Sequence, residues 1–156
     1  MTHAILEWLQ TQQPRIKGRV LEVGSRNING SPRSVITADK YVGIDAIAGP
    51  DVDIVCNAHQ LFRHFACESF DAVLCCEMLE HDDAPWITIQ QIRGVLKSGG
   101  LLLVTTPGNG FHEHGYPKDY FRFMPDFYRD VIFANMRDFV LHVTKDGTLC
   151  GSGVKP

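Results

Sequence analysis

Two segments of this chain are apolar on consecutive positions, DAVLCC at 71–76 and GLLLVTT at 100–106. Strands with one face in water alternate apolar and polar residues, whereas strands covered on both faces need not. The pair therefore calls for a sheet with helices on either side, an α/β arrangement rather than a sandwich or a bundle. Further apolar runs fit strands near 19–24, 41–45, 52–57 and 138–144, with the 70–76 and 100–106 strands central. The closing TLCGSGVKP reads either as a last short strand or as a frayed tail.

Helix signals fill the gaps. Ser31 and Pro32 suit the cap and first turn of a helix over SVITA, and Asp83 with Pro85 precedes a segment in which Ile89, Ile92 and Leu96 share a face. Gly99 and Gly100 end that helix. Another helix is expected from Pro125 to Met136, burying Phe127, Val131 and Met124, and one before Pro14 covers a face of the sheet. The 156 residues, 44% of them apolar, fit one globular domain spanning 1–156. A net charge of −3 gives no electrostatic argument for general nucleic-acid or membrane binding. Cys56, Cys67, Cys75, Cys76 and Cys150 contain no CxxC pair, so they read as reduced, mostly buried thiols. No apolar run approaches the roughly 18 residues needed to span a bilayer, and a cytoplasmic protein is the simplest expectation.

In open parallel sheets, ligands sit beyond the carboxyl ends of the strands, where the strand order reverses. That rule singles out RVLEVGSRNING at 19–30, in which an apolar strand carrying Glu22 runs into a turn at Gly24. A buried carboxylate is costly unless paired, so Glu22 is expected to meet a cationic or hydrogen-bonding group in the cleft. Asp45 ends YVGID about 20 residues after the turn, where a carboxylate can accept from both ribose hydroxyls of an adenosine or merely cap a strand end. Asn57 follows VDIVC and carries an amide able to read an adenine edge or to close a local turn.

Taken together these segments resemble the class I S-adenosylmethionine-dependent methyltransferases, over about Arg19 to Val143. VLEVGS resembles that family's first motif, YVGID its ribose-binding strand, DIVCNAHQL its adenine-side loop, FDAVLCCEMLEH its fourth strand and VLKSGGLLLVTTPG its step into the fifth. The resemblance implies a Rossmann-like, doubly wound, mainly parallel sheet with an antiparallel strand near the C-terminus. It implies S-adenosyl-L-methionine as cofactor and transfer of a methyl group to an acceptor, a small molecule being favoured. Glu22 and the turn of Gly24, Ser25, Arg26 and Gly30 would then face the methionine part, with Arg26 reaching its carboxylate. Asp45 would take the ribose, Asn57 and Ala58 the adenine, and Cys76 and Glu77 the other side of the cofactor.

The turn departs from the family's alternating glycines, since Ser25 to Asn29 separate Gly24 from Gly30; Asn27 and Asn29 tolerate left-handed backbone and can rescue the bend. A dehydrogenase is disfavoured because the G-x-G-x-x-G needed for a pyrophosphate is missing. A non-catalytic cofactor-binding or scaffold module with the same fold is the alternative.

Glu77, Glu80 and His81 form E-x-x-E-H, a cluster that can hold a divalent ion, offer one imidazole as a base, or simply start a helix; no metal ligand is assigned from the sequence. GNGFHEHGYPKDYFRFMP at 108–125 resembles the family's stretch over the acceptor side. His81 and His114 are the candidate catalytic residues, with Tyr116, Asp119, Tyr120 and Arg122 around them. Methyl transfer is an in-line displacement that needs alignment and loss of the nucleophile's proton, so no covalent nucleophile is sought.

Overall fold

A computed structural model describes residues 1–115 and 118–156. Seven strands form one sheet in the order β3-β2-β1-β4-β5-β7-β6. They are β1 (Arg19–Val23), β2 (Lys40–Asp45), β3 (Ile54–Val55), β4 (Phe70–Cys76), β5 (Leu96–Pro107), β6 (Arg137–Val143) and β7 (Thr148–Val154). The first five run parallel, and β7 lies antiparallel between β5 and β6.

The consecutive apolar runs are the central strands, and each face of the sheet has its own core. On one face α1 (His3–Gln12) buries Ile5 and Leu9 against Val20, Leu74 and Leu103. On the other, α2 (Pro85–Val95) contributes Ile89, Ile92 and Val95 to a core with Leu21, Val73 and Leu102. Alternate residues of β1, β4 and β5 thus feed opposite cores, as a doubly covered sheet requires.

Several expected elements come out shorter or differently placed. The strand expected over 52–57 holds only Ile54 and Val55, at the sheet edge. Ser31 does cap, its Oγ accepting from the Arg33 N–H at 3.2 Å, but only one 3-10 turn, Pro32–Ser34, follows. Leu96 opens β5 instead of sharing the helix face, and Gly99 at φ 77° forms the irregularity that precedes the main pairing. The helix from Pro125 ends at Ile132; Tyr128 and Ile132 are buried, while Met124 is exposed rather than packed. Cys67 is the exposed thiol among four buried ones.

The C-terminal segment is a full strand, buried from Thr148 to Gly153. Its glycines admit aromatic rings. A Cβ on Gly151 would stand 2.6 Å from Phe133 Cε2 and 2.7 Å from Tyr128 Cδ1. No helix among the described residues is long and apolar enough to cross a membrane.

Candidate active site

The carboxyl ends of β1, β2 and β4 open on one cleft of about 740 Å³. Its lining includes Glu22, Gly24, Ser25, Arg26, Gly30, Asp45, Asn57, Ala58, Cys76 and Glu77, together with His81 and His114. Strand order reverses between β1 and β4, so their ends splay and leave room there. Glu80 stands just behind the wall, fully buried.

Glu22 is almost fully buried at the end of β1 and accepts a hydrogen bond from the Tyr41 hydroxyl at 2.8 Å. Burial pushes its carboxyl up to about 8. The Arg33 guanidinium lies 4.6 Å from the Tyr41 ring centroid and pairs with Asp53, whose carboxylate also accepts the Gly43 N–H. Tyr41, Arg33 and Asp53 were not singled out from the sequence. The two-residue period that places Tyr41 beside Glu22's strand gives the tyrosine a detectable signal; the loop partners have none.

At the turn, Gly24 has φ 83°, and a Cβ there would stand 2.5 Å from Met78 Cγ. The N–H groups of Gly24 and Ser25 both donate to the Ile44 carbonyl at 2.9 Å. Asn27 and Asn29 are not among the residues with left-handed backbone. The longer turn is held instead by the Asn27 side chain, whose Oδ1 accepts the Gly30 N–H at 3.0 Å and whose Nδ2 donates to Asp51 at 2.9 Å. Arg26 lies along Gly49 at the cleft edge. Asp45 accepts the Arg26 N–H at 3.3 Å and the Ile47 N–H at 2.9 Å through separate oxygens. Asn57 Oδ1 accepts the His59 N–H at 2.8 Å, which is the local turn geometry.

This half suits S-adenosylmethionine on its own geometry. The buried Ser25 Oγ has no hydrogen-bond partner among the described residues, an acidic strand end faces a turn whose Gly24 has no room for a Cβ, and apolar Ile28 and Ile47 stand exposed beside the cleft.

After β4 the chain turns sharply. Glu77 adopts φ 51°, a left-handed conformation uncommon for a non-glycine residue. Its carboxylate accepts from Thr105 Oγ1 at 3.1 Å, and burial raises its protonation range. A 3-10 turn, Leu79–His81, then presents the cluster. Glu80 Oε1 stands 3.7 Å from His81 Nε2 and 3.8 Å from His114 Nε2, and neither carboxylate oxygen has a hydrogen-bond partner among the described residues. Burial drives the Glu80 carboxyl well up and the His81 imidazole down. The two imidazoles meet edge to face, 5.2 Å apart.

The segment carrying His114 is pinned by Arg122, which forks onto Asp119 and donates to the Phe111 and His112 carbonyls at 3.1 and 2.7 Å. Asp119 in turn accepts the His114 N–H at 2.7 Å, and the Arg122 pairing holds its carboxyl far below the usual range. Tyr120 is exposed at the cleft and Phe123 is buried; Tyr116 lies outside the described residues. A further pair missed from the sequence is His59 with Asp82, 2.7 Å apart, which ties the loops after β3 and β4.

Residues 25–104, just over half of the chain, match a family model described as a methyltransferase domain. The chain belongs to the class I S-adenosylmethionine-dependent methyltransferase family. S-adenosyl-L-methionine is the cofactor of that family. Among curated proteins none matches significantly.

Solved structures agree on the methyltransferase fold. One is a chain in the complex between the Haloferax volcanii Trm112 methyltransferase activator and the putative methyltransferase, at TM-score 0.71 and 18% identity, covering 96% of this chain and 87% of that one. A second is the Burkholderia thailandensis 1,6-didemethyltoxoflavin-N1-methyltransferase with 1,6-didemethyltoxoflavin and S-adenosylhomocysteine bound, at 0.69 and 15%, covering 97% and 78%. A third is the [4+2]-cyclase SpnF, at 0.73 and 16%, covering 98% and 80%. At such identities the likeness carries the fold alone, and a [4+2]-cyclase among these structures shows the fold hosting a differently named chemistry.

Proposed function

We propose that this methyltransferase domain is an active enzyme that binds S-adenosylmethionine in the cleft and methylates a small-molecule acceptor. The observation that carries the reading is the convergence of Glu22, Gly24 and Asp45 with His81 and His114 on one cleft of about 740 Å³. When bound, the cofactor supplies a sulfonium-activated methyl group.

In this reading Glu22 receives the cofactor's ammonium, and the turn from Gly24 through Ser25 and Arg26 to Gly30 wraps its methionine end. Asp45 accepts from the ribose. Since the Asn57 carbonyl is engaged by the His59 N–H, its remaining NH₂ donors and the Ala58 backbone are left for the adenine. Cys76 and Glu77 close the far wall. His81 and His114 orient the acceptor and ease the loss of its proton. Burial lowers the His81 imidazole, which favours the neutral form a proton acceptor needs. One domain over 1–156 and a cytoplasmic setting complete the proposal.

Calorimetry with S-adenosylhomocysteine tests it directly. One site per chain is expected, weakened in Asp45→Ala; failure to bind S-adenosylhomocysteine or S-adenosylmethionine, while an adenine dinucleotide binds, would reassign the cleft.

A further inference from the structure

We infer that Glu80, His81 and His114 form a binding site for one divalent cation of the zinc class. Their ligand atoms all lie within 4.8 Å of one another. The inference rests on what surrounds those atoms.

Glu80 is fully buried, and neither of its carboxylate oxygens meets a hydrogen-bond donor among the described residues. A buried polar group left in that state costs about 1–3 kcal/mol, more when charged. Both imidazoles could have met the carboxylate as donors, but they do not. His81 Nδ1 is 2.5 Å from the Lys118 carbonyl. Because a carbonyl can only accept, Nδ1 carries the proton, and in the neutral ring Nε2 keeps its lone pair. His114 Nδ1 faces the His112 carbonyl at 3.3 Å and Asp119 Oδ2 at 3.7 Å, two acceptors that favour the same tautomer. Two nitrogen lone pairs and a carboxylate oxygen without a hydrogen bond among the described residues therefore lie within 4.8 Å of one another.

The gaps suit an ion better than a proton. Separations of 3.7 and 3.8 Å between Glu80 Oε1 and the two Nε2 atoms are too long for a hydrogen bond. Metal bonds of about 2.1 Å at a tetrahedral angle leave ligand atoms about 3.4 Å apart, close to what is seen. The outer contacts also match, since a ligating histidine commonly donates its second ring N–H to a carbonyl or carboxylate. Two imidazoles and one carboxylate suit zinc, whereas magnesium favours oxygen ligands. Glu77 stays out of the set, its carboxylate being held by Thr105.

The second cluster of this kind, His59 with Asp82 and Asp83, lacks that property. Asp82 already accepts from the Ala84 N–H and the Thr88 hydroxyl and faces the His59 ring. Three protein ligands leave an ion a further position for water or an acceptor oxygen; with the ion bound, His81 and His114 would ease loss of the acceptor's proton through it and not as free bases. Only the acceptor half of that statement rests on the methyltransferase reading, and a metal titration without cofactor is independent of it.

The test is calorimetric titration of the metal-free full chain with zinc chloride. One ion per chain is expected, with affinity reduced at least about 100-fold in Glu80→Gln and in His114→Ala, and unchanged in His59→Ala. Circular dichroism reports whether each variant folds; if Glu80→Gln does not, His114→Ala decides. Cobalt substitution gives a second readout: visible bands of a low-coordinate site in the wild type and their loss in His114→Ala. The inference is overturned by no zinc binding, by binding indifferent to His114→Ala, by loss of the ion in His59→Ala, or by magnesium binding as tightly as zinc.

Discussion

The two halves of the cleft are built on opposite terms. On the side of β1 and β2, Glu22, Asp45 and Asn57 each already hold a hydrogen bond within the chain, and most of them hold backbone N–H groups in place. On the side of β4 and the segment after β5, Glu80 is buried with neither carboxylate oxygen hydrogen-bonded among the described residues, and two imidazoles stand beyond hydrogen-bond reach of it. In the first half the carboxylates and the amide oxygen are already engaged, and the buried Ser25 Oγ, without a hydrogen bond among the described residues, is left for a ligand. Among the described residues the second is chemically incomplete, and the proposed ion would complete it. Preorganised dipoles and satisfied networks give binding geometry, whereas unpaired buried groups store the cost that a ligand can relieve.

Glu22 offers the strongest test of the first half. Its carboxyl is shifted by burial from an ordinary 4.5 to about 8. Between those values the folded chain keeps a proton that the unfolded chain has released, so stability falls as pH rises across that window. The slope from this one group is at most about 1.4 kcal/mol per pH unit. Glu22→Gln should flatten the loss of stability between about pH 5 and 8, as read by urea unfolding at stepped pH. An unchanged slope would mean that water or Tyr41 stabilises the carboxylate, and that this half is less closed than its geometry suggests.

Asp45 supports the turn from below by accepting from Arg26 and Ile47. Asp45→Ala therefore removes a ribose acceptor and loosens the loop together. A loss of about 2–3 kcal/mol, or roughly 30- to 150-fold in S-adenosylhomocysteine affinity by calorimetry, is expected for hydrogen bonds to a charged group. A loss below about threefold would place the cofactor elsewhere in the cleft.

Much of this was legible in the sequence, and the exceptions have physical causes. The strands of the covered sheet were readable because residues buried on both faces must be apolar, as in DAVLCC and LLLVTT. β7 was legible only as one of two readings, a short strand or a tail, because Gly151 and Gly153 are small to admit Phe133 and Tyr128, and glycines carry no strand signal. The positions lining the cleft followed from the strand ends, but their partners did not. Asp53 and Arg33 meet across loops, and the match of Glu80 to His114 spans 34 residues and the whole of β5. Asn27 was noticed for the wrong property: its side chain, rather than a left-handed backbone, closes the turn.

Gly24 and Arg122 test rigidity in the two halves. Gly24→Ala places a Cβ 2.5 Å from Met78 Cγ at φ 83°. Strain of about 1–3 kcal/mol is expected, seen as a lower urea midpoint. Met78 is flexible enough to move, so the backbone sets the floor of that cost. A midpoint equal to wild type would show that the turn is not fixed in this conformation.

Arg122→Ala acts on the incomplete half through position rather than chemistry. The guanidinium joins Asp119 to the Phe111 and His112 carbonyls, and Asp119 holds the His114 N–H. Removing it leaves the Asp119 carboxylate, nearly buried, with one fewer partner and frees the segment that brings His114 to Glu80. Charge-assisted bonds of this kind contribute about 1.5–3 kcal/mol, and the partial exposure of Arg122 lowers the expected loss of stability to about 1 kcal/mol. Hydrogen exchange should rise at the His114 amide while the amides of β1 and β2 keep their protection. If protection falls equally in both halves, the contrast between them is not local, and the cleft opens and closes as one unit.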